Sequence, residues 1–583
     1  MTHLKKLAAL VLFAAITLNI GCGEDKTTPT PAETAPDPVT NLQVSATTDT
    51  SITLTWEYPA GASIDNFVIR RNNQEIARPA KDVRTFTDRG LTANTSYSYS
   101  VVAVKGSRTS AASSITQTTS QPPVRRAELV GNITGTRTLS KDTIYTLKGF
   151  VNIQQEATLI IPAGTRIEGD FQTQGVLLTV RGAGTPGQAS YRRSGRIIAN
   201  GTAQEPIVFT SQRPVGQRRR GDWGGIVLNG LGCNNGSGGT LIGEGNTGVH
   251  GGTLPTDTSG VLRYVRLEFG GTKITPDNEI NGFTFNSVGN GTVLEYLQSH
   301  FIADDAFEWF GGNVNCRYLV TTGCDDDCFD MDNGYNGKMQ FFVAVQDRAL
   351  GNRGYEVNND GQGSSNRSSA PVNSLTSPIV YNVTMVGAGV ARANDDNNDG
   401  MYLRGNSQGQ YWNQIVVNFG GFGLVVDGSG SITQYQNDSL QVRNSIFANR
   451  GLLGLRNQTE PAGPGVWGAF RRTGATGYDT VDTQTNLNFF TKSAGRGNRN
   501  FTSRDSIRLR NVNYDNPMNG TKPDLRPAAN SPALTGAANP TQNPLDQTAR
   551  YPGDKTGFFQ AVDFIGAMKD VDWTEGWTTW AIN

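Results

Sequence analysis

From about residue 127 onward, short apolar runs alternate with clusters of Gly, Asn and Asp, and the runs recur at a nearly constant spacing. The pair Phe283 and Phe285 is followed 24 residues on by Phe307 and Trp309, 22 further by Phe329 and Met331, and 26 further by Tyr355 and Val357. Met401 and Leu403, then Leu424 and Val426, continue the series. A second series runs through Leu294 and Tyr296, Arg317 and Leu319, Gln340 and Phe342, and Ile415 and Val417. Apolar strands repeating every twenty-odd residues predict a solenoid whose coils bury one continuous core. Two interleaved series predict two faces per coil. Successive side chains of a strand point to opposite sides. With the aromatic pairs inside, the outward column is Glu308, Asp330, Glu356 and Tyr402, and beside it lie Phe310, Asp332, Asn358 and Arg404.

Residues 38–120 carry a different rhythm. Leu42 to Val44, Ile52 to Trp56, Phe67 to Ile69 and Tyr97 to Val104 alternate apolar and polar positions, as half-buried strands of a sandwich do. Gln121-Pro122-Pro123 separates this segment from the repeats. Residues 22–37, rich in Thr, Pro, Ala and acid, form an extended tether. Residues 1–21 have the layout of an export signal: Lys5 and Lys6, then an apolar run from Leu7 to Ile20, too short to span a bilayer comfortably.

Several of these segments resemble known families. The opening Pro38 to Val44, the core Trp56 and the stretch Leu91 to Tyr97, which looks like a tyrosine corner, resemble a fibronectin type III domain. Ala157 to Ile167, Gly195 to Thr202 and Pro206 to Thr210 resemble right-handed parallel β-helix proteins of the pectate-lyase-like architecture. Gly221 to Gly230, Asp304 to Gly312 and Asp325 to Asp330 are similar to a family of bacterial surface lipoproteins to which no activity is assigned, and Pro523 to Ala533 resembles the closing coil of many β-helices. Leu18 to Cys22 resembles a lipobox, which implies lipidation of Cys22 and an outer-membrane, surface-exposed protein; Glu24 and Asp25 resemble the acidic export signal of such lipoproteins. The resulting expectation is an all-β chain: signal peptide 1–21, tether 22–37, fibronectin type III sandwich 38–120, and right-handed parallel β-helix 127–583. An irregular insertion is expected near 458–520, with an aromatic cap (Trp573, Trp577, Trp580) plugging the open end.

Charge narrows the function. Lys+Arg and Asp+Glu are both 51, so the net charge is zero; no basic field suits nucleic acid, and Arg218-Arg219-Arg220 is read as a solvated turn. The expected partners are a membrane, through the lipid anchor, and a polysaccharide or surface protein. Cys324 and Cys328 are expected to close a disulfide across a turn, while His3, His250 and His300 are not spaced with the cysteines as zinc ligands.

The acids carry three readings. Asp304 and Asp305, Asp325 to Asp327, and Asp395, Asp396 and Asp399 can be turn formers whose charge is solvated. The column Glu308, Asp330 and Glu356, with Asp332, can hold Ca2+, because two carboxylates on coils about 4.8 Å apart repel by roughly 3 kcal/mol at an effective dielectric of about 20. The same column can be catalytic: Asp330, Glu308 and Glu356 as a glycoside-cleaving acid pair, or a Ca2+-dependent lyase with Arg404 as base. The leading expectation is a surface-displayed binding or structural platform, and the alternative is a polysaccharide-active enzyme. Arg404 or Lys338 beside an open acidic groove would favour the enzyme.

Overall fold

The computed structural model describes residues 34–275, 278–348, 350–359, 375–389, 398–448, 468–471, 479–480, 496–501, 503–542 and 557–582. The signal peptide, Cys22 and most of the tether lie outside these residues. The chain divides into two compact units, Met1–Pro123 and Val124–Asn583. Among the described residues no helix is long and apolar enough to cross a membrane.

The first unit is an antiparallel sandwich. Thr40–Thr47, Ser51–Glu57 and Thr85–Arg89 form one sheet; Gln74–Ala77, Asn66–Arg71, Ser96–Lys105, Arg108–Thr109 and Ser113–Thr118 form the other. Ile52, Leu54 and Trp56 point inward at alternate positions, and Trp56 meets Phe67 edge-on at 5.4 Å. The tyrosine corner is made: the Thr92 N–H donates to the Tyr97 hydroxyl at 2.9 Å.

The second unit is a parallel β-helix. Its first stack runs through Phe283–Asn286, Phe307–Phe310, Phe329–Asp332, Tyr355–Val357, Met401–Leu403 and Leu424–Asp427, each paired in parallel with the next. The inward rings sit over one another. Phe283 and Phe307 stack at 5.2 Å, Phe307 and Phe329 at 5.9 Å, and Phe329 and Tyr355 at 5.7 Å. These contacts give the core a continuous aromatic column and fix the register of the coils.

The two faces expected per coil are in fact three. Each strand of the second series breaks once, at a residue with positive φ that drops out of the pairing: Tyr264, Tyr296, Tyr318, Phe341, Asn382, Asn413 and Asn444. The left-handed conformation costs a non-glycine residue roughly 1–2 kcal/mol. In the earlier coils stacking of the bend residues on each other offsets that cost: Tyr264 on Tyr296 and Tyr296 on Tyr318, both at 4.3 Å, and Tyr318 on Phe341 at 5.1 Å. In the later coils Asn, which tolerates the conformation, takes over.

These bends explain a second departure from expectation. The C-terminal tryptophans do not plug an end of the solenoid. The C-terminal segment runs back along the bends as a strap, and the bend side chains and their neighbours hold its backbone. Asn413 Nδ2 donates to the Ala538 carbonyl at 2.7 Å, Asn382 Nδ2 to Phe564 at 2.9 Å, Gln340 Nε2 to Gln560 at 2.9 Å and Gln298 Nε2 to Thr579 at 2.7 Å. Trp577 meets Tyr264 and Tyr296 edge-on, and Trp573 meets Tyr318. Stacking the bend aromatics leaves their edges in a row along one flank, and the tryptophans cover that row. Leu525 and Ala533, from the stretch read as a closing coil, pack into the same flank. Of the insertion expected at 458–520, Arg499–Asn500 returns to the parallel stack against Ile446–Ala448, and Leu509–Asn511 pairs antiparallel with Asp524–Pro527; most of residues 458–495 lie outside the described residues.

Cys324 and Cys328 are free thiols in this structure, not the expected disulfide. Their sulfurs lie 3.6 Å apart, and the turn between them aims the Cys324 thiol at the Asp326 carbonyl, 3.4 Å away.

Candidate functional site

The outward column exists as the spacing implied. Thr284 pairs with Glu308, Glu308 with Asp330, Asp330 with Glu356, and Glu356 with Tyr402, one above another on successive coils. It is not an open groove: Glu308 is 5% exposed and Glu356 6%.

The turns leading into these strands supply more acid. Asp304 and Asp305 precede Phe307 as Asp326 and Asp327 precede Phe329. They shape the turns as expected of aspartates. The Asp327 N–H donates to Asp305 Oδ1 at 2.8 Å, and the Arg353 N–H donates to Asp327 Oδ1 at 2.6 Å. One coil's carboxylate thus fastens the next coil's turn. For Asp304, Asp305 and Asp327 the expectation of solvated charge fails, because all three are buried, whereas Asp325 and Asp326 are half-buried. Stacking puts each turn under its neighbour, which removes the water. Asp399 acts similarly, accepting from the Phe422 N–H at 2.6 Å, whereas Asp395 and Asp396 lie outside the described residues. Arg220, from the run read as solvated, is also largely covered and pairs with Asp325 at 3.0 Å and Asp347 at 2.5 Å.

Two groups of carboxylates converge, with one oxygen from each residue within 4.8 Å of the others: Asp305 with Glu308 and Asp330, and Asp304 with Asp305 and Asp326. Asp305 belongs to both. Burial, with Glu308 and Asp327 nearby, pushes the Asp305 carboxyl well above its ordinary range. Burial and the Glu244 and Asp330 charges do the same to Glu308, and burial with Asp332 and Asp327 does so to Asp330. Asp304 is pushed up to about 8, chiefly by burial and by Asp326, with Lys273 opposing. Glu244 rises to about 7 through burial and Glu279, and Asp327 to about 7 through burial, against the pull of Arg353.

The cations nearby are few and already engaged. Arg353 and Arg404 both pair with Glu356, and Arg353 also stands 3.6 Å from Asp327 over the ring of Tyr402. Lys273 reaches Glu279 at 3.6 Å and Asp304 at 3.7 Å. Two sequence assignments therefore change. Glu356 is neutralised by guanidinium groups and leaves the metal set, and Arg404, spent on Glu356, is not placed as a base. Asp332 stands in the neighbouring column, accepts from the Asn333 N–H, and is in neither converging group. Lys338 is buried on another face against the Phe559 ring, 5.7 Å away. His250 and His300 hold Ser287 and Thr322 at 2.8 Å and 2.7 Å, and neither joins the acids.

Glu308 and Asp330 remain, joined by Asp305. Among the described residues, Asp330 Oδ1 is buried and has no hydrogen-bond partner. A buried, unpaired carboxylate oxygen among like charges is expensive. The donors are all oxygens of hard carboxylates, the set that suits Ca2+. The residues present therefore fit a divalent cation. Asp305, Asp304 and Asp326, together with Glu244, Glu279, Lys273 and Arg353, had been missed from the sequence as site residues. The signal that could have found the aspartates was the pair of acids two to three residues before both Phe307 and Phe329.

Residues 131–498 match the family described as pectate-lyase like beta helix domain, which is more than half of the chain. The chain belongs to that family. Residues 37–119 of this pectate-lyase-like β-helix protein match the fibronectin type III domain. No curated protein matches it. Among solved structures, a computer-redesigned beta sandwich protein is 26% identical over 15% of this chain and 97% of its own, with a TM-score of 0.14. The chicken CNTN1 FN1–FN3 domains are 20% identical over 15% of this chain and 33% of theirs, also at 0.14. The fibronectin type-III domain of human fibronectin type III domain containing protein 3 is 15% identical over 16% and 94%, again at 0.14.

Proposed function

We propose that this protein is a binding platform held at the cell surface by a lipid on Cys22, and that Asp305, Glu308 and Asp330 hold a divalent cation, Ca2+ by the hardness of the ligands. The observation that carries the reading is the buried, unpartnered Oδ1 of Asp330 beside two further carboxylates raised by burial and mutual repulsion. A bound cation would neutralise the stacked acids, and the half-buried Asp330 gives the position at which it would meet an anionic or hydroxyl ligand. The chain's own part is to fix that position: Asp305 is tied to the Asp327 N–H, Asn281 donates to Glu308, and Arg353 with Arg404 removes the charge of Glu356 from the site.

Calorimetric titration of CaCl2 into chelator-stripped full-length protein is expected to show saturable binding that Asp330→Asn abolishes; no binding would remove the cation reading. Family membership favours a second reading, a polysaccharide-active protein. Release of reducing or unsaturated ends from a polysaccharide panel, lost in Asp330→Asn, would replace the platform with an enzyme. The closed column and the engagement of Arg404 favour the platform. The lipid on Cys22 is tested by metabolic labelling with a fatty-acid analogue, which Cys22→Ala should prevent.

A further inference from the structure

The flank along the bends is built to hold main chain. Three side-chain amides on it each pair with both the N–H and the carbonyl of a single residue of the strap. Gln298 Nε2 donates to the Thr579 carbonyl at 2.7 Å, and its Oε1 accepts from the Thr579 N–H at 2.8 Å. Gln340 holds Gln560 in the same way, at 2.9 Å and 2.7 Å, and Asn413 holds Ala538, at 2.7 Å and 2.8 Å. A carboxamide carries the donor and the acceptor of a peptide unit, so this pairing is blind to the side chain of the residue held. A row of side chains here does what a free strand edge does in β-strand addition. Two further groups take carbonyls alone: Asn382 Nδ2 donates to Phe564 at 2.9 Å and Gly566 at 3.1 Å, and His300 Nε2 to Ala581 at 2.9 Å.

The last part of the strap is separable from the solenoid. Residues 557–582 add no strand to the stacked parallel sheet, and the coils beneath them pair with one another without it. Phe559, Ile565 and Trp577 anchor the segment and are buried. Among the described residues its charged side chains make no ion pair with the coils. Lys569 pairs with Asp563 inside the segment at 2.8 Å, and Asp572 and Glu575 pair with Lys522, earlier in the chain, at 2.8 Å and 2.5 Å. Departure of the segment would return the amides to water, which satisfies them, and would leave the coil pairing intact.

We propose that this flank is a binding site for an extended peptide, that residues 557–582 occupy it as a tethered ligand, and that the same segment of a second copy of the chain can take their place. Tethering keeps the resident ligand at an effective concentration on the order of millimolar, which holds the site closed to competitors. Exchange between copies needs no new complementarity, since the incoming segment makes the contacts that the resident one gives up. The inference goes beyond the platform reading and does not rest on a cation.

The test is peptide exchange. A protease recognition sequence is substituted into residues 543–556, which lie outside the described residues, and the folded full-length protein is cut there. The cut segment is expected to stay bound through gel filtration. An excess of fluorescently labelled peptide of residues 557–583 should then displace it, with a Kd in the micromolar range or tighter. Uncut protein should bind the labelled peptide about a hundredfold more weakly or worse. Peptide methylated at the main-chain nitrogens of Gln560 and Thr579 lacks both N–H donors and should bind about tenfold more weakly. Peptide carrying Asp570→Ser and Glu575→Ser, at exposed positions, should bind within about threefold of the parent. These changes touch only the peptide, so the fold of the cut protein is the same in every arm. A cut segment that washes off and leaves no affinity for the peptide overturns the proposal, as does one that is never displaced. Equal binding by uncut protein, or a methylated peptide as tight as its parent, overturns it too.

Discussion

Two charged surfaces of the β-helix obey the same geometry and reach opposite results. On the flank, Arg263, Glu295 and Arg317 occupy one register position on successive coils, and Glu295 bonds both arginines, at 2.9 Å and 2.6 Å. Glu168 likewise bridges Arg126 at 2.8 Å and Arg166 at 2.9 Å. Burial raises the Glu295 and Glu168 carboxyls, but the hydrogen bonds and charges of their arginines outweigh it and hold both below the ordinary range. On the first stack the same translation sets Glu308, Asp330 and Glu356 over one another, and only Glu356 is given guanidinium partners. A solenoid copies each side chain's position at every coil, so the sign of the charge at successive repeats decides whether a face is self-neutralising or needs an outside ion. The uncompensated stretch, from Asp304 to Asp330, is where this scaffold departs from charge balance.

That contrast can be broken experimentally, starting with what covers the flank. Trp577 is fully buried on the tyrosine bends, and Trp577→Ala should destabilise the β-helix by about 3–5 kcal/mol, read by chemical denaturation. The sandwich should melt as before; since the chain has two units, the two transitions must be followed separately. Ca2+ comes next. At free cation about a hundredfold above Kd, the β-helix should gain about 2.7 kcal/mol over chelator-treated protein, and an unchanged melting curve would count against the acidic site.

Charge deletion should then act with opposite signs on the two faces. Glu295→Gln leaves two arginines facing each other and should cost roughly 1–2 kcal/mol after allowance for partial exposure. Asp330→Asn, in the absence of cation, removes a repelling charge and should stabilise by roughly 1 kcal/mol while abolishing the Ca2+ response. If both substitutions destabilise the cation-free protein, the acidic face is compensated in a way the geometry does not contain.

The smallest effect is in pH. Asp304, at about 8, and Glu244 and Asp327, at about 7, hold protons in the folded state that the unfolded chain, with ordinary values of 3.8 and 4.5, releases. Cation-free stability should therefore fall as pH rises from about 4 to about 8, and saturating Ca2+ should flatten that limb. Glu295 and Glu168, held low, contribute stability that is complete above their ordinary value and lost as pH falls through their folded values. Replacing both by Gln should remove that acid limb without touching the other.

Much of this arrangement was legible in the residues. The 22- to 26-residue recurrence of inward aromatics put Glu308 over Asp330 and Asp330 over Glu356, because a strand's alternation leaves one choice of face once Phe307 and Phe329 are inside. Tyr97 announced its corner by its distance from Leu91. The third face was not legible. It depends on Tyr264, Tyr296 and Tyr318 adopting positive φ, which tyrosine rarely does, and only their stacking on one another makes it acceptable. The strap escaped notice for a related reason: Trp573 and Trp577 carry no mark of their partners, which lie more than two hundred residues away in the chain.

The sequence by itself determined the coil period, the identity of the outward column and the sandwich, since each follows from local alternation and from repeat spacing. Only the tertiary structure decided which acids belong together. Asp305 enters the group and Glu356 leaves it because turns of adjacent coils are pressed over each other, excluding water from the aspartates and pairing Arg353 and Arg404 with Glu356 while, among the described residues, Asp305, Glu308 and Asp330 receive no such pair. Charge balance in a stacked fold is a property of neighbouring coils, and no single stretch of chain records it.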